Sequence, residues 1–534
     1  MDEIWSYSLA NSLDGMYFYP LGFDESKSTN LWNQWTEGSV FRDYITVNDN
    51  ERFAYSKVRN NQIKDVHPPF YYYLLHTICS FFPNTFSKWY GNSINLVMCL
   101  LSLFLLFTIT RRLFSEKTAL LCTFFYGFSA AAFNSFLFIR MYAMLVFFFL
   151  LSAWLYIKAI DTDKIRTYSV AIAITVALGC LTQYHYAVYA FWLTVTFDII
   201  CLFKKKYKAF WYVSAAALIG VGLFYLHFPV FIQQLNNSPR GSEAMNQISL
   251  TSLADHSEFW CFSIMYFLGI DIESGVLIAP ALSFGFISIL AIWAILLVSD
   301  KVLNKYPDTQ DKLFIFIKKI SESTKSLCSN RYHILLFFVP AYLFILTIIR
   351  TINYGLMGVF AGRYFFSIFP YMAVLFTIIL LAPFKIIKQN KVQNPHKIIT
   401  FIMIFLCGLS LLTNLEFFFS DNGSLPEASR EAFREIAKDS VAIVFNSHEE
   451  FLHSMSEILQ LTQKSFNIKI GTTIKLPMDA LKKDDHNLLI APTKMNIEAA
   501  KDLLEKQYHI KMTKKLTGLS HTIFYNVYEL ELLP

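Results

Sequence analysis

The stretch Asp65-Val-His-Pro-Pro-Phe-Tyr-Tyr-Tyr-Leu-Leu-His76 separates a polar N-terminal segment from an apolar, aromatic one. Proline is favoured in the first turn of a helix, because the N–H that it lacks would have no partner there. Pro68 and Pro69 therefore predict that a helix begins at this point and continues through the aromatic run. A long series of hydrophobic segments follows, and the nature of that series decides the fold class.

The composition is that of a membrane protein. Of the 534 residues, 54% are apolar and only 16% are charged, whereas soluble domains average about 45–50% and about 25%. A span needs about 20 apolar residues. Ten segments are long enough, near 93–110, 118–138, 141–157, 167–183, 186–203, 209–229, 276–298, 333–349, 364–383 and 398–416. We therefore predict an all-α polytopic membrane protein of about ten spans.

Charge in the loops predicts the orientation. Alternate loops carry clusters of basic residues, such as Lys204-Lys-Lys206, whereas the opposite connections after the first span carry only Arg140, Arg240, Arg350 and Arg363. Basic loops stay in the cytoplasm. Residues 1–92 and the chain after about 417 are therefore predicted to face outward. Since an outward-facing start needs a preceding signal or span, we expect one N-terminal span to be missing from this sequence.

The sequence divides into three predicted domains. Residues 1–92 form a large first extracytoplasmic loop with interfacial helices, 93–417 form the transmembrane core, and 421–534 form a soluble α/β domain. In that last part, strand patterns alternate with helix patterns at 449–464 and 497–507, which favours a small, largely parallel sheet. The predicted strands are 441–445, 466–470, 488–491 and 523–530.

An acidic pair, Asp2-Glu3, heads the first outer loop. A carboxylate beside a membrane cavity can act as general base on an acceptor hydroxyl or amine. Transfer from a phosphate-linked donor needs only such a base, because the phosphate leaves as an anion. The alternative is a solvated surface pair, and the residues alone favour that alternative.

Two further groups of residues are candidates for binding an anion. Lys64, Asp65 and His67 precede the predicted helix, whose N-terminus favours a phosphate; Asp65 and His67 could equally be caps or turn residues. Arg140-Met-Tyr142 and Arg363-Tyr364 place arginines at the membrane boundary, where a planar fork suits a phosphate. The alternative for each arginine is a snorkelling anchor.

Tyr184-His185-Tyr186 occupies the next outer connection. These side chains could hydrogen-bond sugar hydroxyls or phosphate oxygens, since Tyr and His provide both donors and acceptors. A role in the aromatic belt of the membrane is equally plausible. The three residues are therefore secondary candidates.

Read in order, these motifs resemble those of the GT-C superfamily, specifically family 39-like glycosyltransferases related to protein O-mannosyltransferases and the lipid A aminoarabinose transferase. The features that match are Asp2-Glu3, His67-Pro-Pro69 with the aromatic run that follows, Arg140-Met-Tyr142, and Arg363-Tyr364. The resemblance covers roughly residues 1–416. The C-terminal α/β domain differs from the β-trefoil of the mannosyltransferases, so a protein acceptor is not implied.

The resemblance implies inverting transfer from a polyprenyl-phosphate sugar to an acceptor outside the cytoplasm. It gives Asp2 the role of catalytic base and Glu3 that of its supporting partner. Arg140 and Arg363 would contact the donor phosphate, with Tyr142, Tyr364, His67 and Lys64 beside them. It also favours a multi-pass protein of a bacterial plasma membrane over a eukaryotic one.

Other classes of function stay open. A lipid or glycan flippase or transporter is the main alternative, but transporters often contain repeats and glycine-interrupted spans, and Gly is only 19 of 534 residues here. A glycan polymerase or ligase, or a noncatalytic envelope-assembly subunit, is a third possibility. No Cys/His metal spacing is present, so no cofactor is predicted and a divalent metal is left open. The partners predicted are the lipid-linked donor, the acceptor and the bilayer, with no nucleic acid.

Overall fold

The computed structural model divides the chain into two compact units. The sheet unit comprises Met1–Asp65, Tyr72–Tyr90 and Leu415–Pro534, and the helical unit comprises Val66–Tyr71 and Gly91–Asn414. The residues that the structure describes are 2–12, 32–237, 331–348, 362–387, 434–446, 459–470, 476–517 and 525–534, with a few between 259 and 267, between 400 and 408, and at 432.

A six-stranded sheet forms the centre of the sheet unit, with the order β1-β3-β2-β4-β6-β5. Its strands are β1 (Trp35–Glu37), β2 (Val441–Asn446), β3 (Lys464–Lys469), β4 (Asn487–Pro492), β5 (Ile510–Thr517) and β6 (Tyr525–Leu532). The central strand β2 is parallel to β3 and β4, whereas the other three pairings are antiparallel. The prediction of a largely parallel sheet is therefore right only for the three middle strands.

The sequence does not predict two of the strands, β1 and β5, and each omission has a physical reason. Strand β5 is mostly exposed and polar, so it lacks the apolar pattern of a buried strand. Strand β1 has three residues and pairs with β3 from the far end of the chain. After it, Gly38 approaches the backbone of the C-terminal part so closely that a Cβ would lie 1.9 Å from the Thr462 carbonyl oxygen. The predicted domains 1–92 and 421–534 thus contribute to a single compact unit.

Hydrogen bonds from three side chains fix the first helix of the sheet unit. The N-terminal helices are α1 (Asp2–Asn11), α2 (Gly38–Asp43), α3 (Tyr55–Lys64) and α4 (Phe70–Phe81). The Asn61 amide donates to the carbonyl oxygens of Leu9 and Ser12, at 3.2 and 2.8 Å. The Asn11 amide and the Tyr7 hydroxyl donate to further backbone carbonyls. Helix α4 begins directly after Pro69, as the two prolines predicted.

The helical unit contains ten helices among the described residues. They are α5 (Lys88–Leu113), α6 (Glu116–Gly127), α7 (Ala130–Leu137), α8 (Tyr142–Ile160), α9 (Ile165–Thr182), α10 (His185–Phe203), α11 (Tyr207–His227), α12 (Phe231–Asn237), α13 (Arg331–Ile348) and α14 (Phe369–Ile387). Helix α8 is the most buried of them and packs against α9, α10 and α13. The fold is that of a mostly helical, polytopic membrane protein with a small C-terminal sheet, as predicted.

Five of these helices, α5 and α8 to α11, are long and apolar enough to cross a membrane. The predicted span 118–138 is instead two helices, α6 and α7, bent by 56°, which together make a sixth candidate. The bend lies at Ser129, whose hydroxyl accepts from the Ala132 N–H and caps α7. Shorter apolar helices cover the predicted spans 333–349 and 364–383. The predicted span 276–298, and most of 398–416, lie outside the described residues.

Candidate functional site

Three turns that the sequence assigned to one side of the membrane meet at one end of the helical unit. The ring of Tyr142, at the start of α8, lies 6.0 Å from that of Tyr364, between α13 and α14. The Tyr364 ring is also 6.0 Å from that of His185, at the start of α10. We call this region the arginine end and define it as Phe138, Arg140, Tyr142, His185, Arg363 and Tyr364.

Arg140 lies in the short turn between α7 and α8. Its N–H donates to the Phe138 carbonyl at 2.7 Å, and its side chain is only 6% exposed. Helix α8 begins two residues later, and the N-terminus of a helix carries a partial positive charge. A buried arginine in the turn that leads into a helix N-terminus makes this turn favourable for an anion.

Asn95, on α5, holds the same turn and was absent from the sequence prediction. Its side chain is fully buried, and its amide donates to the carbonyl oxygens of Phe136 and Phe138 at 3.1 and 2.7 Å. These two bonds satisfy carbonyls at the end of α7 and so fix the chain that leads to Arg140. A polar residue inside an apolar span was the available signal, because such residues usually bond to another helix.

Arg363 reaches the arginine end from a single helical turn, Gly362–Phe365, that precedes α14. Its Cζ atom lies 5.9 Å from the centre of the Phe138 ring and 5.2 Å from that of its neighbour Tyr364. Phe138 in turn stacks on Tyr142 at 5.8 Å. The rings orient the guanidinium by cation–π contact without cancelling its charge.

His67 and His185 complete this region. His185 lies within electrostatic range of His67, which is half-buried and precedes the buried Pro68 and Pro69. Phe70, the first residue of α4, then packs 6.2 Å from Phe148 of α8. The structure therefore brings His67, Arg140, Tyr142, Arg363 and Tyr364 together with the secondary candidate His185.

The other two secondary candidates have packing roles. The Tyr184 hydroxyl donates to Gln234 of α12, away from the arginine end. Tyr186 is fully buried, its hydroxyl lies 2.6 Å from the Ser152 hydroxyl, and its ring covers Gly179. A Cβ at Gly179 would lie 2.4 Å from that ring, so the close fit requires glycine. Through these contacts both tyrosines take part in packing, and their role in binding stays a prediction.

The remaining candidates belong to the sheet unit. Lys64 is exposed at the end of α3, and Asp65 is buried beside it, its N–H bonded to the Asn61 carbonyl at 3.1 Å. Asp2 and Glu3 are the first two residues of α1, but their side chains lie outside the described part of the structure. Their catalytic role stays a prediction.

The opposite end of the helical unit gathers basic residues from the loops predicted to be cytoplasmic. Arg112, Lys204 and His333 approach the Asp161 carboxylate at 3.1, 3.8 and 2.6 Å. Partial burial alone would raise the pKa of Asp161, but these neighbours outweigh it and hold that pKa below its usual value. We call this cluster the carboxylate end. The ends of four helices, α5, α8, α10 and α13, meet there. Loops that the sequence analysis assigned to the same side of the membrane therefore lie close together.

No group of three or more His, Cys, Asp or Glu side chains with the arrangement of a metal site occurs in the described ranges. The arginine end brings together guanidinium, imidazole and phenol groups, which can donate hydrogen bonds to an anion. Arginine forks suit phosphate oxygens, and the aromatic rings keep the arginine in place.

Residues 66–229 match the family described as dolichyl-phosphate-mannose-protein mannosyltransferase. His67, Arg140 and Tyr142 lie within the matched segment, and Arg363 lies outside it. The predicted relation to glycosyltransferases of the protein mannosyltransferase type is confirmed by this match. Among curated proteins, no match is found.

Three solved structures are similar in overall architecture. The Archaeoglobus fulgidus oligosaccharyltransferase complex with zinc and sulfate has a TM-score of 0.44 at 12% identity, over 92% of this chain and 64% of that one. ArnT from Cupriavidus metallidurans bound to undecaprenyl phosphate has 0.42 at 9% identity, over 90% and 94%. AglB from Archaeoglobus fulgidus with an inhibitory peptide and a dolichol-phosphate has 0.39 at 11% identity, over 86% and 64%. This chain thus spans 64% of the length of the oligosaccharyltransferase chain.

Proposed function

We propose, from the mannosyltransferase family that residues 66–229 match, that this chain is a membrane glycosyltransferase. It moves a sugar from a polyprenyl-phosphate donor to an acceptor on the extracytoplasmic side of a bacterial plasma membrane. The observation that carries the proposal is the convergence of the Arg140 and Arg363 turns within one aromatic cluster. The family description, which names a dolichyl-phosphate sugar, supports a lipid-phosphate donor.

In this proposal the arginine end binds the donor phosphate. Arg140 and Arg363 contact its oxygens, and Tyr142, Tyr364 and His67 provide further donors, with Lys64 as an outer contact. Two guanidinium groups stabilise the phosphate both in the donor and as the leaving group, where its negative charge grows. Stronger binding of the charge that develops lowers the barrier to transfer.

The chemistry that we propose is a single inverting displacement. An acceptor oxygen or nitrogen attacks the anomeric carbon, and the bond from that carbon to the phosphate oxygen breaks. Its electron pair leaves with the polyprenyl phosphate, and the acceptor proton passes to the Asp2 carboxylate, which Glu3 supports. No cofactor takes part in this scheme.

The decisive experiment incubates membranes containing the full chain with a panel of radiolabelled polyprenyl-phosphate sugars. We expect one donor to be consumed, and we expect Asp2→Asn to abolish transfer while donor binding is retained, because the amide cannot accept the proton. Asp43→Asn, in α2, is the matched control and should leave transfer unchanged. Equal activity of Asp2→Asn would remove Asp2 as the base. If folded protein consumed no donor, the flippase or scaffold alternatives would replace the proposal.

A further inference from the structure

The surface of the sheet unit carries a group of exposed aromatic side chains that the proposed function does not use. Phe81 is 62% exposed, Phe82 52% and Trp89 59%. We call this surface the aromatic patch and define it as Phe53, Phe81, Phe82, Phe86 and Trp89. Exposed clusters of large apolar side chains mark sites of contact with a protein, a ligand or a membrane.

The patch lies in the part of the chain for which the sequence predicts interfacial helices. The sequence predicted that the apolar helix after the two prolines lies in the membrane interface. The structure buries one face of α4 in the sheet unit, where Tyr72, Leu75 and Cys79 are almost fully enclosed. Exposure begins at the end of the helix, with Phe81. Exposed large apolar side chains are therefore grouped at the last residue of α4 and in the turn that follows it.

Contacts between aromatic rings hold four of the five patch residues, Phe53, Phe81, Phe82 and Phe86, in place. The Phe81 ring meets that of Phe53 edge to face at 5.3 Å, and Phe82 stacks on Tyr90 at 5.2 Å. Phe86 lies 4.9 Å from Tyr7 of α1. Rings fixed in this way lose little conformational freedom when they bind a partner.

The backbone of the turn is fixed as well. Asn84 adopts a left-handed conformation, with φ 56°, which Asn tolerates better than most residues. Its N–H donates to the Val47 carbonyl at 2.8 Å and its side-chain amide to Asp49 at 2.9 Å. The turn therefore presents Phe82 and Phe86 from a defined position.

Cationic side chains border the aromatic patch. Arg52 donates from Nε to the Ser80 carbonyl at 2.8 Å, and its Cζ lies 5.7 Å from the centre of the Phe53 ring. Lys88 is exposed at the first position of α5. Aromatic rings with Arg and Lys beside them are typical of surfaces that lie at the boundary between lipid and water.

The position of the aromatic patch in the chain indicates that its partner is the lipid bilayer. Trp89 is the second residue of α5, a 26-residue helix that is long and apolar enough to cross the membrane. Further along the same helix, Leu100 and Phe104 are exposed, as expected for side chains that face lipid. A residue in the first turn of a span lies at the membrane boundary, where Trp is enriched.

We infer that the aromatic patch inserts into the headgroup region of the bilayer that the chain spans. Phe81, Phe82, Phe86 and Trp89 enter the apolar side of the boundary, and Arg52 and Lys88 meet the lipid phosphates. This contact holds the turn after α4 at the lipid surface. The inference depends on the fold alone and does not require the proposed enzymatic activity.

The test measures the depth of a nitroxide label in the full chain, reconstituted in vesicles of phosphatidylethanolamine and phosphatidylglycerol. The label is placed on Phe82→Cys, with Phe86→Cys as a second position and the unsubstituted chain as background for native cysteines. The matched control is Leu503→Cys, an equally apolar and exposed position on helix Ile497–Tyr508 of the same unit. We expect collisions with oxygen to exceed those with a polar nickel complex several-fold at Phe82, and the reverse at Leu503.

Two results would overturn the inference. If the nickel complex reaches the labels at positions 82 and 86 as readily as the label at Leu503, the patch faces water. If neither reagent reaches them, protein covers the patch instead of lipid. Wild-type-like heat stability of the labelled variants establishes that each result describes the folded chain.

Discussion

At one end of the helical unit Arg363 lies over two aromatic rings, whereas at the other end three basic side chains surround the carboxylate of Asp161. Both ends gather positive charge from loops that are distant in the sequence. At the carboxylate end, an acidic side chain from the protein balances that charge. At the arginine end, the contacts that Arg363 makes to the rings of Phe138 and Tyr364 restrict the orientation of its guanidinium group. The difference teaches that the ion pairs of the carboxylate end suit the joining of helices, whereas the arginine end suits binding.

Truncating the two arginines should give the largest effect. Arg140→Ala and Arg363→Ala each remove charge-assisted hydrogen bonds to the donor phosphate, worth about 1.5–3 kcal/mol, or roughly 10- to 100-fold in affinity. We expect the apparent donor Kd to rise by that factor, measured by titration of membranes with polyprenyl phosphate. Arg112→Ala, at the carboxylate end, is the control. Equal weakening by all three variants would mean that the two ends do not differ in function.

Asp161→Asn should lower the free energy of unfolding and leave donor affinity unchanged, which is the opposite of the effect expected for the two arginines. The change leaves Arg112, Lys204 and His333 without their shared carboxylate, at a cost of about 1–3 kcal/mol, since Asp161 is partly exposed. Denaturant unfolding in detergent measures this loss of unfolding free energy.

Because the folded-state pKa of Asp161 is lowered, the stabilisation that Asp161 provides is complete above the usual pKa of 3.8 and is lost as the pH falls below that value. The difference between variant and wild type should therefore shrink in acid; a constant difference would contradict the ion-pair explanation.

Asn95→Ala should give the smallest of the three effects. Loss of its two bonds to the α7 carbonyls loosens the turn that carries Arg140, and each such bond is worth about 1 kcal/mol. We expect donor KM to rise a few-fold, with kcat at saturating donor much less affected. Asn95→Asp keeps the size and removes both N–H donors, so it should act in the same way. A fall in kcat alone, with KM unchanged, would rule out a role in positioning Arg140.

Local patterns in the sequence predicted several features that the structure bears out. The two prolines marked the start of α4, and the charges in the loops predicted which turns lie together. Arg140 lies in a short turn between two helices, as the sequence predicts, whereas its role in binding stays a prediction. Each of these signals is local, since it depends on residues that are neighbours in the chain.

Other features depend on residues that are far apart in the chain and have weak local signals. Strand β1 has three residues and was missed because its partner lies more than 400 positions away, in β3. The role of Asn95 is visible only when α5 packs against the end of α7. Tyr186 appeared to be a candidate for binding, and its burial against Gly179 shows why an aromatic residue at a helix start can instead serve packing.

The sequence by itself determined that the chain lies in a membrane, where its spans approximately are, and which residue types are available for chemistry. It could do so because hydrophobicity, proline positions and loop charge are properties of short segments of chain. Only the tertiary structure decided which of those residues meet. It brought Arg363 to the ring of Phe138 beside the Arg140 turn, gave Asp161 its basic neighbours, and joined the N-terminal segment to the C-terminal sheet. The physical reason is that pairing of distant segments is selected by packing and hydrogen bonding summed over the whole fold, which no short window of sequence contains.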